Sequence, residues 1–417
     1  MGQTLLLKAA FLALATSWVL DRTLFPRAGY ILFAGCLLVS LAFAARQAPR
    51  MISTYLVVIG IAFGFQAVFL GLNWSVALLA MSAYFAIPLL AGWVPLDYRR
   101  LLEVMGVFKL ITVIYFFGLL LQLAGVESEL LVVTLTRTFG DAHPRYTSFS
   151  GGPLLLGMFS FLGLVVCLAD YGEAKSLSRK WWLFSIMAMA LVNLYFSYAR
   201  RYYVIAFLAG AFFVWSTRAR NRALVYVVLP SSIVGLAVMA AALDLPIFAR
   251  FSSILDFEEE GGNQLRFLLW LRALDFIGES PVLGLGVGSE GTVGQSEEAV
   301  QERLQDGAIA EMYYLKVGVE FGAIVAVFFA AWMAFLTFFS MQERTKGMFL
   351  YRVIPILGAV ECIMGGALGS PFFAFPFWLV VAQMLRQRQS VAYRRYDKSR
   401  IPTVGAAAAY TPQSRLI

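Results

Sequence analysis

Three stretches place arginine where a phosphate could be gripped. Arg145 lies in HPRYTSFSGGP (His143 to Pro153). Arg200 and Arg201 lie in FSYARRYYV (Phe196 to Val204), and Arg266 and Arg272 in RFLLWLRALDFIG (Arg266 to Gly278). A guanidinium fork matches phosphate oxygens in pairs, so such a set is suited to holding a pyrophosphate without a metal. Glu311 opens EMYYLKVGVEFG (Glu311 to Gly322), at the mouth of an apolar run. There it is free to serve as a general base on a hydroxyl, or to stand as a solvated helix-start carboxylate favoured by the dipole. Lys316 and Glu320 are four apart and can pair within the membrane. Glu311 is too far along a helix from Glu320 for the two to form one carboxylate dyad.

Each feature also has a blander reading. The arginines could snorkel at the bilayer surface, with Tyr198, Tyr202 and Tyr203 forming an aromatic belt. Arg266 and Arg272 are six residues apart and point to different faces of a helix, so one at most faces a shared site. Ser148, Ser150, Gly151 and Gly152 are either punctuation before the helix-starting Pro153 or a backbone nest for an anion. His143, the single histidine, sits before a proline in a loop and leaves no room for a histidine-ligated metal site. Cys36, Cys167 and Cys362 all lie in apolar runs, which suits small buried residues better than a disulfide or metal framework. No cofactor is expected.

The elements that must carry these residues are membrane helices. Sixty per cent hydrophobic content, with 14% charged residues, excludes an ordinary soluble domain. Mean hydropathy is +0.76. Alternating polarity of the β-barrel kind is absent. We expect an all-α polytopic membrane protein of about twelve spans: Thr4–Leu20, Ala28–Ala44, Ile52–Leu72, Ser75–Trp93, Val104–Ala124, Pro153–Ala169, Trp181–Tyr198, Tyr202–Ser216, Leu224–Leu243, Met312–Phe339, Leu350–Gly369 and Pro371–Leu385. Residues 1–243 and 312–385 would be transmembrane, 244–311 one large polar loop, and 386–417 a flexible basic tail. Between Asp244 and Ala308 stand 12 carboxylates against four arginines, a local −8 in a chain of net +8. Lysine and arginine gather in alternate connections, from Arg46 and Arg50 to Arg344 and Lys346. This puts both termini in the cytoplasm and the acidic loop outside. The basic balance is thus topology information, and no nucleic-acid partner is implied.

Arg266, Trp270 and Ala273, then PVLGLGVG (Pro281 to Gly288), then YLKVGVEFG (Tyr314 to Gly322) resemble, in that order, the motifs of the O-antigen ligase/polymerase superfamily. RYTSFSGGP is similar to the family's arginine- and glycine-containing motif before a span, and SYARRYYVIAF to its Ser-Arg motif. The resemblance implies a GT-C-like glycosyltransferase of the bacterial inner membrane that acts on undecaprenyl-pyrophosphate-linked saccharides at the periplasmic face. It implies Glu311 as the base and Arg200 or Arg201, Arg266 and, less centrally, Arg145 as pyrophosphate ligands. Arg272, Tyr314, Lys316 and Glu320 would support them. The ligases characteristically carry histidine where this chain has Glu311 and asparagine where it has Met312, and His143 does not occupy that place. This favours a polymerase of the Wzy type, with lipid-linked donor and acceptor and a chain-length regulator as a partner. The alternatives are a ligase that uses lipid A–core as acceptor and, from another class, a flippase or transporter. For transport speak the in-span charges Lys109, Lys316, Glu320 and Glu361.

Overall fold

A computed structural model describes residues 2–24, 27–41, 48–72, 74–138, 141–216, 261–289, 312–342 and 348–400. Apolar runs without internal polar partners satisfy their backbone by coiling, and most of the expected spans are helices. The first half comprises α1 (Gly2–Ala15), α2 (Ser17–Thr23), α3 (Ala28–Leu41), α4 (Arg50–Phe69) and α5 (Trp74–Met81). A π-helical turn at Ser82–Ala86 leads into α6 (Ile87–Trp93), then α7 (Tyr98–Met105) and α8 (Val107–Leu123). After a hairpin come α9 (Pro153–Glu173), α10 (Leu177–Ser197) and α11 (Arg200–Ser216). The second half holds α12 (Gly261–Glu279), α13 (Tyr313–Phe321), α14 (Ala323–Met341), α15 (Phe349–Met364) and α16 (Pro371–Arg400).

Helix α9 is the axle of the bundle. Its most apolar window is 83% buried, against 28% for α4 and 33% for α14. It packs against α8, α10 and α11. Bare apolar side chains on α4 and α14, among them Val68, Phe69, Ile324 and Val327, suit a lipid-facing ring. Asp97 and Ser176 accept hydrogen bonds from the backbone of Arg100 and Arg179, capping α7 and α10.

Several expectations change. Four of the described helices are long and apolar enough to cross a membrane, or five if α1 and α2 count as one span, so the count of twelve is not recovered. The first span is bent by 72° where Thr16 turns its hydroxyl back onto the carbonyl of Leu12. The all-α expectation misses a two-stranded hairpin. Here β1 (Val133–Thr138) and β2 (Asp141–Tyr146) pair antiparallel, with Arg145 opposite Thr134. Its β-branched residues Val133, Thr134, Thr136 and Thr138 favour the pleated strand. The long Met312–Phe339 run is two helices, because Gly322 takes φ +87° between them. The expected free tail begins as ordered helix, since α16 runs on to Arg400. Gln383 and Arg386 bolt that helix to the 92–96 loop. Gln383 donates to the carbonyl of Val94 (2.7 Å) and accepts from the amide of Leu96 (2.9 Å), and Arg386 donates to the carbonyls of Gly92 and Val94. The expected Leu224–Leu243 span and most of the acidic loop lie outside the described residues.

Candidate active site

The glycines of PVLGLGVG and the glycine that breaks α13 from α14 have a common cause. A helix that stops inside a bundle exposes carbonyls without partners, and burial makes each one costly. The loop after α12 supplies the donors. The amide of Leu285 donates to the carbonyl of Val319 (2.7 Å) and that of Gly286 to Glu320 (3.2 Å), while Ala323 donates back to Pro281 (2.7 Å). The two strands of chain run so close that a Cβ on Gly284, at φ +70°, would lie 2.6 Å from the backbone of Glu320 and Gly322. Gln66 of α4 completes the clasp. Its amide nitrogen donates to Leu283 and Glu320 carbonyls, both at 2.6 Å, and its oxygen accepts from Val287 at 3.1 Å.

Helix α12 lies over this clasp through Ala273 and Phe276, buried against Val319. Position 266 is seven residues, or two turns, before Ala273 and so shares the face turned to α13, whereas Arg272 is about 100° away from it. Arg272 is half-buried. The opposite face carries Phe267, Leu268, Leu271 and Leu274, all exposed.

Two ion pairs, each with a buried carboxylate and a partly buried cation, flank the turn between α15 and α16. Arg201 Nη1 lies 3.5 Å from Glu361 Oε1, and Lys316 Nζ lies 3.8 Å from Glu320 Oε1. The turn touches both. Ala367 donates its amide to Glu361 (3.0 Å), Gly365 is pressed against the Arg201 guanidinium, and Gly369 lies against Lys316. Tyr84 and Tyr313, both buried, lie ring to ring with centroids 5.9 Å apart. Tyr314 donates to the carbonyl of Ala359 (3.3 Å), tying α13 to α15. Glu361 as the partner of Arg201 was not read from the sequence. The available signal was a lone carboxylate in an apolar run, which must find a cation.

Arg145 reaches the turn between α10 and α11 from the hairpin, its Nε donating to the carbonyl of Ser197 (3.3 Å), with Tyr146 edge-on to Phe196. Arg145 thus bonds to the turn that leads into Arg200 and Arg201, where Tyr198 takes φ +49° to end α10. The backbone of Arg200 and Arg266 is described, and Glu311 lies outside the described residues. Of the two readings of Ser148–Gly152, the anion nest is not favoured, because its polar groups are already in use. The Ser148 amide donates to Gln122 (2.7 Å) and the Ser150 amide to Thr147 (3.1 Å), while the Ser148 hydroxyl donates to Tyr115 (2.6 Å). These bonds make it a joint between the hairpin and α8. His143 lies in β2 opposite Thr136. Lys109, another charge inside a span, pairs with Asp170, which Arg179 also approaches at 3.2 Å.

No curated protein and no solved structure matches the chain. One family does: the O-antigen ligase model matches residues 184–330. That stretch runs from the helix before Arg200 to the first turns after Gly322, so it takes in the α11 start, α12, the glycine clasp, Glu311 and both members of the Lys316–Glu320 pair. With its apolar helices, the chain has the character of a multi-pass membrane protein, and the O-antigen ligase match over residues 184–330 supports its place in the O-antigen ligase/polymerase superfamily.

Proposed function

We propose that this chain is an inner-membrane glycosyltransferase that polymerises undecaprenyl-pyrophosphate-linked repeat units into O-antigen or exopolysaccharide. The observation that supports the reading is the bond from Arg145 to the turn that leads into Arg200 and Arg201, within and beside the family-matched segment. In this reading the architecture is the GT-C-like, twelve-span one. The charge asymmetry places both termini in the cytoplasm and residues 244–311 in the periplasm. Arginines of the 197–201 turn and Arg266 hold the donor's pyrophosphate, with Arg145 beside them. As the anomeric carbon–oxygen bond breaks, the electron pair leaves with undecaprenyl pyrophosphate, whose growing charge these guanidiniums stabilise. Glu311 takes the proton of an acceptor hydroxyl, and that oxygen forms the new bond to the anomeric carbon from the opposite side, inverting it.

Two features speak for chemistry over transport. The in-span charges Lys109, Lys316, Glu320 and Glu361 are engaged in ion pairs. The broken helix at Gly322 spends its free backbone groups on the clasp, where a transporter would aim them at a solute. A second reading, ligation of the glycan to lipid A–core, is favoured by the name of the matching family.

The deciding experiment uses purified full-length protein in nanodiscs with lipid-linked repeat units from the native host, EDTA present. A ladder of longer glycans that disappears in Glu311→Gln is the expected result. A ladder untouched by that substitution removes Glu311 as base. Transfer only when lipid A–core is added makes the enzyme a ligase, and use of neither acceptor makes transport the leading reading.

A further inference from the structure

Two adjacent arginines open α11. Arg201 is committed to the bundle. Its guanidinium pairs with Glu361, a side chain 0% exposed, and lies over the Tyr202 ring at 5.0 Å. The second Glu361 oxygen is taken by the Ala367 amide. Gly365 closes over the pair so tightly that a Cβ there would meet the Arg201 guanidinium and sit 2.8 Å from Glu361 Oε1. Drawing Arg201 away to a ligand would strip a buried carboxylate of its cationic partner, a costly step in apolar surroundings. Position 200 is about 100° round the helix from this pair. It follows directly on the 197–199 turn, whose Ser197 carbonyl holds Arg145.

We infer that the two arginines divide the work: Arg201 is a positioning residue, locked by Glu361, and it fixes the start of α11 so that Arg200 carries the contact to the lipid pyrophosphate. Glu361, on α15, thereby becomes part of the donor site without touching the donor. This rests on the pyrophosphate-lipid reading above and deepens it.

The test is equilibrium binding of undecaprenyl pyrophosphate to the full chain in nanodiscs, with thermal unfolding measured in parallel. Arg200→Gln is expected to weaken binding about tenfold or more, the worth of a charge-assisted hydrogen bond, at an unchanged unfolding temperature. Arg201→Gln and Glu361→Gln break the same pair, so both should lower the unfolding temperature and weaken binding to similar extents. The exchange Arg201→Glu with Glu361→Arg should restore both quantities towards wild type. The inference is overturned if the exchange restores stability but not binding. It is equally overturned if Arg201→Gln loses about tenfold more affinity than Glu361→Gln, a comparison that stands even where the exchanged chain does not fold. Wild-type chain that binds no pyrophosphate lipid sinks the functional reading and the role of Arg200 with it. The unfolding temperatures of the exchange still report on the pair itself, so the two failures are distinguishable.

Discussion

Between α12 and α14 the chain is held by main chain, whereas around the start of α11 it is held by the ends of charged side chains. In the first region glycines let two backbones approach, and carbonyls left over from a broken helix take amides from a loop some thirty-five residues earlier. In the second, a guanidinium, two carboxylates and an ammonium are balanced about a turn. A backbone clasp cannot yield, because neither side has a rotamer to change. A charge pair can be redrawn if both partners change together. The same difference separates two glycines that look alike on paper: a Cβ on Gly284 would strike backbone, while one on Gly365 would strike the side-chain ends of Arg201 and Glu361.

The comparison breaks or holds on four substitutions. Gly284→Ala should have the largest effect, about 3 kcal/mol or more, since a forced positive φ alone costs about 1–3 kcal/mol and the backbone overlap adds to it. Thermal unfolding in detergent should show the lowest midpoint of the series, with little folded protein recovered. Gln66→Leu comes next. It removes the donor to the Leu283 carbonyl and the acceptor for the Val287 amide while keeping similar bulk, and about 2–4 kcal/mol of destabilisation is expected. Gly365→Ala should be milder for stability, about 1 kcal/mol, because the Arg201 guanidinium can tilt within its pair with Glu361 without leaving it and no backbone is struck. Its cost should appear in pyrophosphate-lipid binding, and Gly369→Ala, whose Cβ would make ordinary 3.4–3.5 Å contacts, should leave both quantities alone. If Gly365→Ala unfolds the protein as badly as Gly284→Ala, the distinction between the two regions is wrong.

What could be read from the sequence follows the range of the interaction concerned. The Lys316–Glu320 pair is legible, because four residues on a helix is one turn. The Arg201–Glu361 pair is not, because 160 residues separate partners that only the packing of α11 on α15 brings together. Gly322 was visible as a glycine in a motif, but its run is apolar on both sides. The break is imposed by the loop that pairs with it, which no local pattern records. The hairpin at 133–146 is too short to stand out between membrane helices. The 148–152 turn shows a different limit. Its serines and glycines suit an anion nest as well as a structural joint, and it is Gln122, on another helix, that decides for the joint.

The bolt at the far end of the chain bears on how the protein is made. The carbonyls of Gly92 and Val94 and the amide of Leu96 find their partners in Gln383 and Arg386, up to 294 residues later. At about 5–20 residues synthesised per second that interval lasts roughly 15–60 s. During it the first six helices wait with the loop at their end unlatched. A ribosome that stalls before Gln383 therefore releases a chain that carries every arginine of the proposed site and Glu311, yet lacks the last bonds joining its two ends.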